Sequence, residues 1–323
     1  MNVCVIGGSG FIGSHLINSI ATHHNVTNVD KQLPEYNNVN VANVIADIRD
    51  YDALKLAIPD NSDYIILLAA EHRDDVSPIS LYYDVNVEGT HNVLRVMAEK
   101  NIEHIIFTSS VSVYGLNKKD PDELSGTDPF NHYGKSKLEA EKVLRRWFDN
   151  DRNGKSLIIV RPTVTFGPGN KGNVYNLLKQ IASGNFIMVG KGRNKKSMAY
   201  VENVAGFISY CLDKKFKGYH LFNYIDKPDL STKELVHIAE EALGKKLPPI
   251  RIPYFIGYTG GLTLDLISRI TKKKFPISAV RVKKFCATTQ FSSATIQATN
   301  YTPKKQLSEG LSITIKSIVN GSK

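Results

Sequence analysis

From residue 3 to residue 161, short apolar runs alternate with stretches of helical periodicity, and this alternation limits the fold more than any other feature. The runs are 3–6, 26–30, 44–46, 64–69, 104–108 and 156–161; the helical stretches between them are 11–23, 51–57, 81–100 and 133–148. Strands this short and this apolar must be buried on both faces. A helix between consecutive strands requires right-handed crossovers into one parallel sheet. The expected class is α/β, a doubly wound parallel sheet. The rhythm breaks after Arg161, where FGPGNKGN is rich in turn residues, and helices follow at 174–183, 201–212 and 231–243 with short strands between. A boundary near 165 is therefore expected: 1–165 forms the sheet domain, and 166–323 forms a smaller mixed lobe. Part of that lobe, such as 219–222, is expected to return to the large sheet.

The first crossover carries the sequence GGSGFIG, Gly7 to Gly13, between strand and helix. Glycine at these points serves a dinucleotide: Gly7 for a tight turn, Gly10 for close approach of a pyrophosphate, Gly13 for helix against strand. The helix beginning with Phe11 and Ile12 then offers free N–H groups and a partial positive charge to the phosphates. Asp30 ends the second strand about 20 residues on, where an acid binds ribose hydroxyls and repels a 2′-phosphate. That favours NAD over NADP, although Lys31 beside it weakens the preference.

Far along the chain, YGKSK places Tyr133 and Lys137 four residues apart on one helix face. A phenol is a poor base at neutral pH because its ordinary pKa lies near ~10. An ammonium at roughly 6 Å and an effective dielectric of about 20 lowers it by ~3 kcal/mol, or about two pKa units. With Ser110 at the end of the fifth strand, this makes a set able to remove a proton from a carbinol.

The 323 residues carry a net charge of +10, with basic residues gathered late in Lys272, Lys273, Lys274, Arg281, Lys283 and Lys284. Nucleic acid, an anionic membrane surface or an anionic small substrate would each suit that balance, as would a plainly solvated surface. No aromatic-interleaved basic patch is read, so nucleic acid is not expected. Three scattered cysteines, Cys4, Cys211 and Cys286, show no metal spacing and imply a reducing, cytoplasmic setting; no secretory signal is read at the N-terminus. No metal site is expected. The stretch 252–267 is apolar but interrupted by Gly257, Gly260, Gly261 and Asp265, and it falls short of the ~20 residues of a span. It reads as a helix–loop element without membrane contact; the lysines after it leave a membrane-surface role as the alternative.

The G-x-x-G-x-x-G spacing, FTSSVSVYG, YGKSK and the closing NYTPKKQLSEGL together resemble the extended short-chain dehydrogenase/reductase family, nucleotide-sugar epimerase/dehydratase branch, over nearly the whole chain. The resemblance implies a Rossmann domain with a substrate lobe. It implies catalysis by Ser110, Tyr133 and Lys137, and cofactor contacts at Asp47, Ile48, Ala69, Ala70 and Asn86. Asn173, Val174, Arg193 and Arg281 are the implied substrate contacts, the arginines as diphosphate clamps. Val111 and Ser112 stand where 4,6-dehydratases carry Asp-Glu, and decarboxylating relatives carry Glu in place of Ser112, so neither reaction is supported. The Asn that many UDP-sugar epimerases carry three residues after this Arg is absent: Arg161 is followed by Pro162, Thr163 and Val164.

The expected activity is NAD-dependent inversion at carbon-4 of a UDP-hexose or UDP-N-acetylhexosamine, supplying sugars for surface polysaccharide, by a homodimer. Reduction of a UDP-4-keto-deoxy sugar is the alternative, and a hydroxysteroid-type dehydrogenase a more distant one. A non-catalytic cofactor sensor would have no use for Tyr133 and Lys137.

Overall fold

A computed structural model describes residues 1–35, 40–73, 76–116, 118–170, 172–184, 186–248, 250–271 and 278–321; the side chains of Arg269, Ile270, Arg281 and Lys284 lie outside that description. In chain order the elements are β1 (Asn2–Ile6), α1 (Phe11–Ile20), β2 (Asn25–Asp30), β3 (Val41–Ile45), α2 (Tyr51–Ala57), β4 (Tyr64–Leu67), α3 (Ser80–Tyr83), a π-helical segment (Asp84–Glu88), α4 (Gly89–Glu99), β5 (His104–Thr108), a 3-10 turn (Val111–Tyr114), α5 (His132–Asn150) and β6 (Ser156–Pro162). There follow β7 (Val164–Phe166), α6 (Asn173–Ala182), β8 (Met188–Val189), β9 (Lys195–Tyr200), α7 (Val201–Lys214), β10 (Gly218–Tyr224), β11 (Asp226–Ser231), α8 (Thr232–Leu243), β12 (Arg251–Ile252), α9 (Tyr254–Thr271), α10 (Ala279–Cys286), α11 (Ala294–Gln297) and α12 (Leu307–Asn320).

Seven strands form one sheet in the order β10-β6-β5-β4-β1-β2-β3, with every pairing parallel. The order reverses at β1, so a crevice opens at the carboxyl ends of β1 and β4, where ligands sit in such sheets. The apolar strands bury both faces. Cys4, Ile6, Ile65 and Phe107 join residues of α2, α4 and α5 on one side, while Val3, Val5, Ile66 and Ile106 join α1 and α7 on the other. Cys4 is thus a core residue, and its thiol is pushed up to about 12 by burial.

The chain divides into two units. The first comprises Met1–Thr165, Ala199–Ile225 and Phe291–Lys305; the second comprises Phe166–Met198, Asp226–Gln290 and Gln306–Lys323. The seventh strand of the sheet, β10, therefore comes from beyond residue 165 and pairs with β6. In the second unit α12 packs on α6 and α8, β11 pairs antiparallel with β9, and α10 folds back on α9. Ser231 opens α8 with a reciprocal cap, its hydroxyl taking the Glu234 N–H while the Glu234 carboxylate takes the Ser231 N–H.

Three elements differ from the sequence expectation. The third strand is Val41–Ile45 rather than 44–46, because edge pairing with β2 recruits polar residues that an apolar run does not mark. The helix expected over 81–100 is interrupted by the π-helical segment around Asn86. The 252–267 stretch leaves β12 at Ile252 and from Tyr254 onward is one helix through Gly257, Gly260 and Gly261 rather than a helix and a loop. Tertiary contact overrides the roughly 1 kcal/mol helix penalty of each glycine.

Candidate active site

The glycine turn is built by sterics. Gly7 has φ +90°, and a Cβ there would lie 2.4 Å from the Ala69 nitrogen; a Cβ on Gly13 would lie 2.5 Å from Gly8 Cα. Gly8, which the sequence reading passed over, is equally constrained: its Cβ would meet Asn28 Oδ1 at 2.3 Å and Ile17 Cδ1 at 2.5 Å. The Gly-Gly doublet was the available signal. Gly10 differs, since its nearest neighbour would be the Gly7 oxygen at 3.3 Å. Gly10 also begins α1 without any side-chain cap, so the first turn, with Phe11 and Ile12, keeps its N–H groups for a ligand.

Asp30 reaches back to this turn. Its Oδ2 accepts the Ser9 N–H at 3.0 Å and its Oδ1 accepts the Gln32 N–H at 3.2 Å. Burial, partly offset by these bonds, raises its pKa from the ordinary carboxylate value. Asp47 is not the helix cap: Asp50 takes the Ala53 N–H at the start of α2. Asp47 instead holds Arg49 at 3.0 and 2.7 Å, and that hydrogen bonding lowers its pKa. Ile48 is buried against Gly89.

At the end of β4, Ala69 and Ala70 leave backbone half-exposed. The next residue, Glu71, is buried and chelates Arg73 at 2.9 and 2.9 Å, and this pairing lowers its carboxyl to about 2. Asn86 locks the segment. Its Oδ1 accepts the Glu71 N–H at 2.9 Å, and its Nδ2 donates to the Glu71 carbonyl at 3.0 Å and to Ser136 Oγ at 2.9 Å. The π-helical irregularity lies where that side chain must reach two elements at once. His72 is exposed.

Asn131 caps α5 by accepting the Gly134 N–H at 2.8 Å. A Cβ on Gly134 would lie 2.7 Å from the Ser112 carbonyl, so α5 packs hard against the 3-10 turn that follows β5. Ser110 opens that turn, its Oγ accepting the Ser112 N–H at 3.1 Å. The close approach brings Tyr133 near enough to Ser110 for the serine hydroxyl to favour the ionised phenol. Lys137 is one turn on, 1 % exposed, with its Nζ 4.0 Å from the Phe107 ring centroid.

The expected depression of the Tyr133 pKa is not found. Burial drives the phenol upward, and the Ser110 hydroxyl opposes this. The physical reason is burial itself, which acts on both members of the pair: it also pulls the Lys137 ammonium down to about 7. One further turn along the same face, Glu141 accepts from Ser109 and pairs with Arg161 at 2.9 and 2.5 Å. Arg161 also donates to Tyr114 Oη at 2.7 Å, and Tyr114 to Asn223 at 2.8 Å. The network is buried and ties α5 to β5, β6 and β10. The i+4 step from Lys137 to Glu141 was its signal in the sequence. Two buried hydroxyls at this end of β5, Thr108 Oγ1 and Ser112 Oγ, have no hydrogen-bond partner among the described residues.

In the second unit Asn173 is exposed at the first position of α6, Val174 is buried, and Arg193 is exposed between β8 and β9. Arg281 falls in α10, with its side chain outside the described residues. Among the described residues no cluster of His, Cys, Asp or Glu is placed to hold a metal ion, and no helix is long and apolar enough to cross a membrane.

The first unit fits a dinucleotide. Gly7, Gly8 and Gly13 hold a tight turn that no Cβ would fit, Gly10 leaves its own position open, the start of α1 is uncapped, and Asp30 stands beside the turn. The model of the NAD dependent epimerase/dehydratase family matches residues 3–224. The N-acetyl-alpha-D-glucosaminyl-diphospho-ditrans,octacis-undecaprenol 4-epimerase of Escherichia coli O157:H7 is 52 % identical over 315 residues, covering 98 % of this chain and 94 % of that protein. The UDP-glucose 4-epimerase of Vibrio cholerae is 27 % identical over 290 residues, covering 84 % and 85 %. Among solved structures, the UDP-glucuronic acid 4-epimerase of Bacillus cereus in complex with NAD superimposes with a TM-score of 0.78 at 19 % identity over 100 % of both chains.

Proposed function

The chain belongs to the NAD dependent epimerase/dehydratase family, and on that premise we propose that it inverts carbon-4 of an N-acetylhexosamine carried on a diphosphate, with a polyprenol as the carrier. The observation that carries this reading is the 52 % identity, across almost the full length of both chains, to an epimerase named for an undecaprenol-linked substrate. The UDP-hexose expected from the sequence is the second reading, favoured by the 27 % identity to a UDP-glucose 4-epimerase. Dehydration gains no support, because Val111 and Ser112 offer no carboxylate.

NAD would be held by the Gly7–Gly13 turn, Asp30, Ala69, Ala70, Tyr133 and Lys137; when bound it accepts and returns hydride and adds the positive charge that draws the Tyr133 pKa down. The residues handle the proton. Tyr133 Oη takes it from the carbon-4 hydroxyl, Ser110 Oγ holds that oxygen in line, and Lys137 supports the phenolate. Carbon-4 becomes a ketone, the sugar turns, and Tyr133 returns the proton when carbon-4 is reduced from its other face. On the resemblance alone, Asn173, Val174, Arg193 and Arg281 contact the substrate, the arginines as diphosphate clamps; Arg193→Ala would then raise KM with little change in kcat. A cytoplasmic homodimer joined through α4 and α5 completes the proposal, and light scattering tests it.

The deciding experiment incubates the purified chain, without added cofactor, with N-acetylglucosaminyl-diphospho-polyprenol and separately with UDP-N-acetylglucosamine. Carbon-4 inversion is followed by proton NMR. Inversion of the polyprenyl substrate, abolished in Tyr133→Phe, supports the reading. Inversion of the UDP-sugar alone moves the carrier to UDP. No inversion of either, with NADPH consumed on a UDP-4-keto sugar, overturns epimerisation in favour of reduction.

A further inference from the structure

We infer that the outward face of α9 docks the protein on an anionic membrane surface. The choice of a membrane as occupant rests on the polyprenyl-linked substrate proposed above; the face itself is read from the second unit alone.

At 100° per residue α9 is turned inside out. Its inward side carries Gly257 and Gly261. A Cβ on Gly261 would lie 2.6 Å from the Ala279 nitrogen of α10, and one on Gly257 would lie 2.8 Å from Val189 Cγ1. The large apolar side chains point the other way, with Phe255 66 %, Leu266 59 % and, from α10, Val280 60 % exposed. A groove of about 490 Å³ between the helices is lined by Tyr258, Leu262, Leu266, Ala279 and Val280, with Asp265 and Lys283 at its edge. The polar residues of α9 are hydrogen-bonded within the unit. Thr259 Oγ1 donates back to the Phe255 carbonyl at 2.8 Å and Thr263 Oγ1 to the Thr259 carbonyl at 3.1 Å. Asp265 is spent on the Ala279 N–H at 3.0 Å. A soluble helix of this length exposes charge; the described side chains of this one expose mainly rings, branched chains and methyls.

Charge selects the occupant. The second unit holds 20 of the 41 Lys and Arg but only 7 of the 31 Asp and Glu, so the basic excess of the whole chain lies there. Two such units repel each other, which disfavours a second copy as the cover. An anionic bilayer attracts them, and an apolar helix face with basic surroundings is the form that lies in an interface.

Flotation of the full chain with phosphatidylcholine vesicles, with and without about a third phosphatidylglycerol, tests this. Binding is expected to the anionic vesicles, weakened by high salt, and reduced at least about tenfold in Phe255→Ser/Leu266→Ser. The same variant should keep its melting temperature, its NAD binding and its turnover of a substrate soluble in water or detergent. Should that variant fail to fold, Phe255→Trp answers in its place: its emission, above the Trp147 background, is expected to shift blue and be quenched by brominated acyl chains. No flotation of the wild type, equal flotation of variant and wild type, or an unquenched Trp overturns the inference, as does an oligomer that only the variant dissolves without vesicle binding. Flotation uses no substrate, so its failure leaves the epimerase assignment standing, and absence of carbon-4 inversion leaves the flotation result standing.

Discussion

Lys137 is a cation that the fold has nearly stripped of water. Its pKa falls to about 7 from 10.5 through burial, with Glu141 pulling the other way. Between those values the unfolded chain binds a proton that the folded chain does not. The penalty of burying the charge is therefore full below about pH 7 and fades as pH rises towards 10.5. Urea stability of the ligand-free protein should rise across that window, and Lys137→Met should flatten this part of the profile. Tyr133→Phe keeps the ring and loses the base; kcat should fall by about a thousandfold with NAD binding retained. Gly10 and Gly13 separate cofactor from fold. Gly13→Ala puts a methyl on the Gly8 backbone and should lower stability by more than about 2 kcal/mol. Gly10→Ala meets only one oxygen at 3.3 Å and should cost little stability but weaken NAD measurably by calorimetry. The identities of Ser110, Tyr133, Lys137 and the glycines were legible in the sequence because their chemistry goes with residue type and spacing. The direction of the Tyr133 shift was not, because desolvation depends on what the rest of the chain packs around the phenol.

At the scale of elements, α5 is the part that brings acid–base groups together. Asn131 starts it, Gly134 presses it onto the Ser110 turn, and the Glu141–Arg161 pair holds it to the sheet. Arg161→Met leaves Glu141 buried without its partner and should cost about 3–5 kcal/mol in chemical denaturation. Glu141→Leu/Arg161→Met removes both charges and should recover much of that stability. If the pair positions α5, kcat in the double variant stays low while KM changes little; a merely structural pair would let kcat recover with stability. Helix boundaries were mostly readable from period and caps. The π-helical segment was not, since Asn86 satisfies Glu71 and Ser136 from positions 15 and 50 residues away. Nor was the continuity of α9 through its glycines, which the approach of α10 demands.

Over the whole molecule, two ligand footprints should be separable by hydrogen exchange. NAD should protect peptides around 7–13, 69–71 and 133–137, and anionic vesicles should protect 254–267; exchange that slows in both regions with either ligand alone would contradict that division. The order of strands and helices over the first 161 residues determined the doubly wound sheet, and the glycine turn, Ser110, Tyr133 and Lys137 determined where a dinucleotide and a proton transfer belong. These are local patterns, written in neighbouring residues, and they survive being read one segment at a time. Only the tertiary structure decided that α7 and 291–305 join the first unit, that Glu141 and Arg161 brace the site, that burial pulls the Lys137 pKa down, and that α9 faces outward with its apolar side. Each of those depends on pairs far apart in sequence and on the exclusion of water, and burial is a property of the assembled fold rather than of any stretch of the chain.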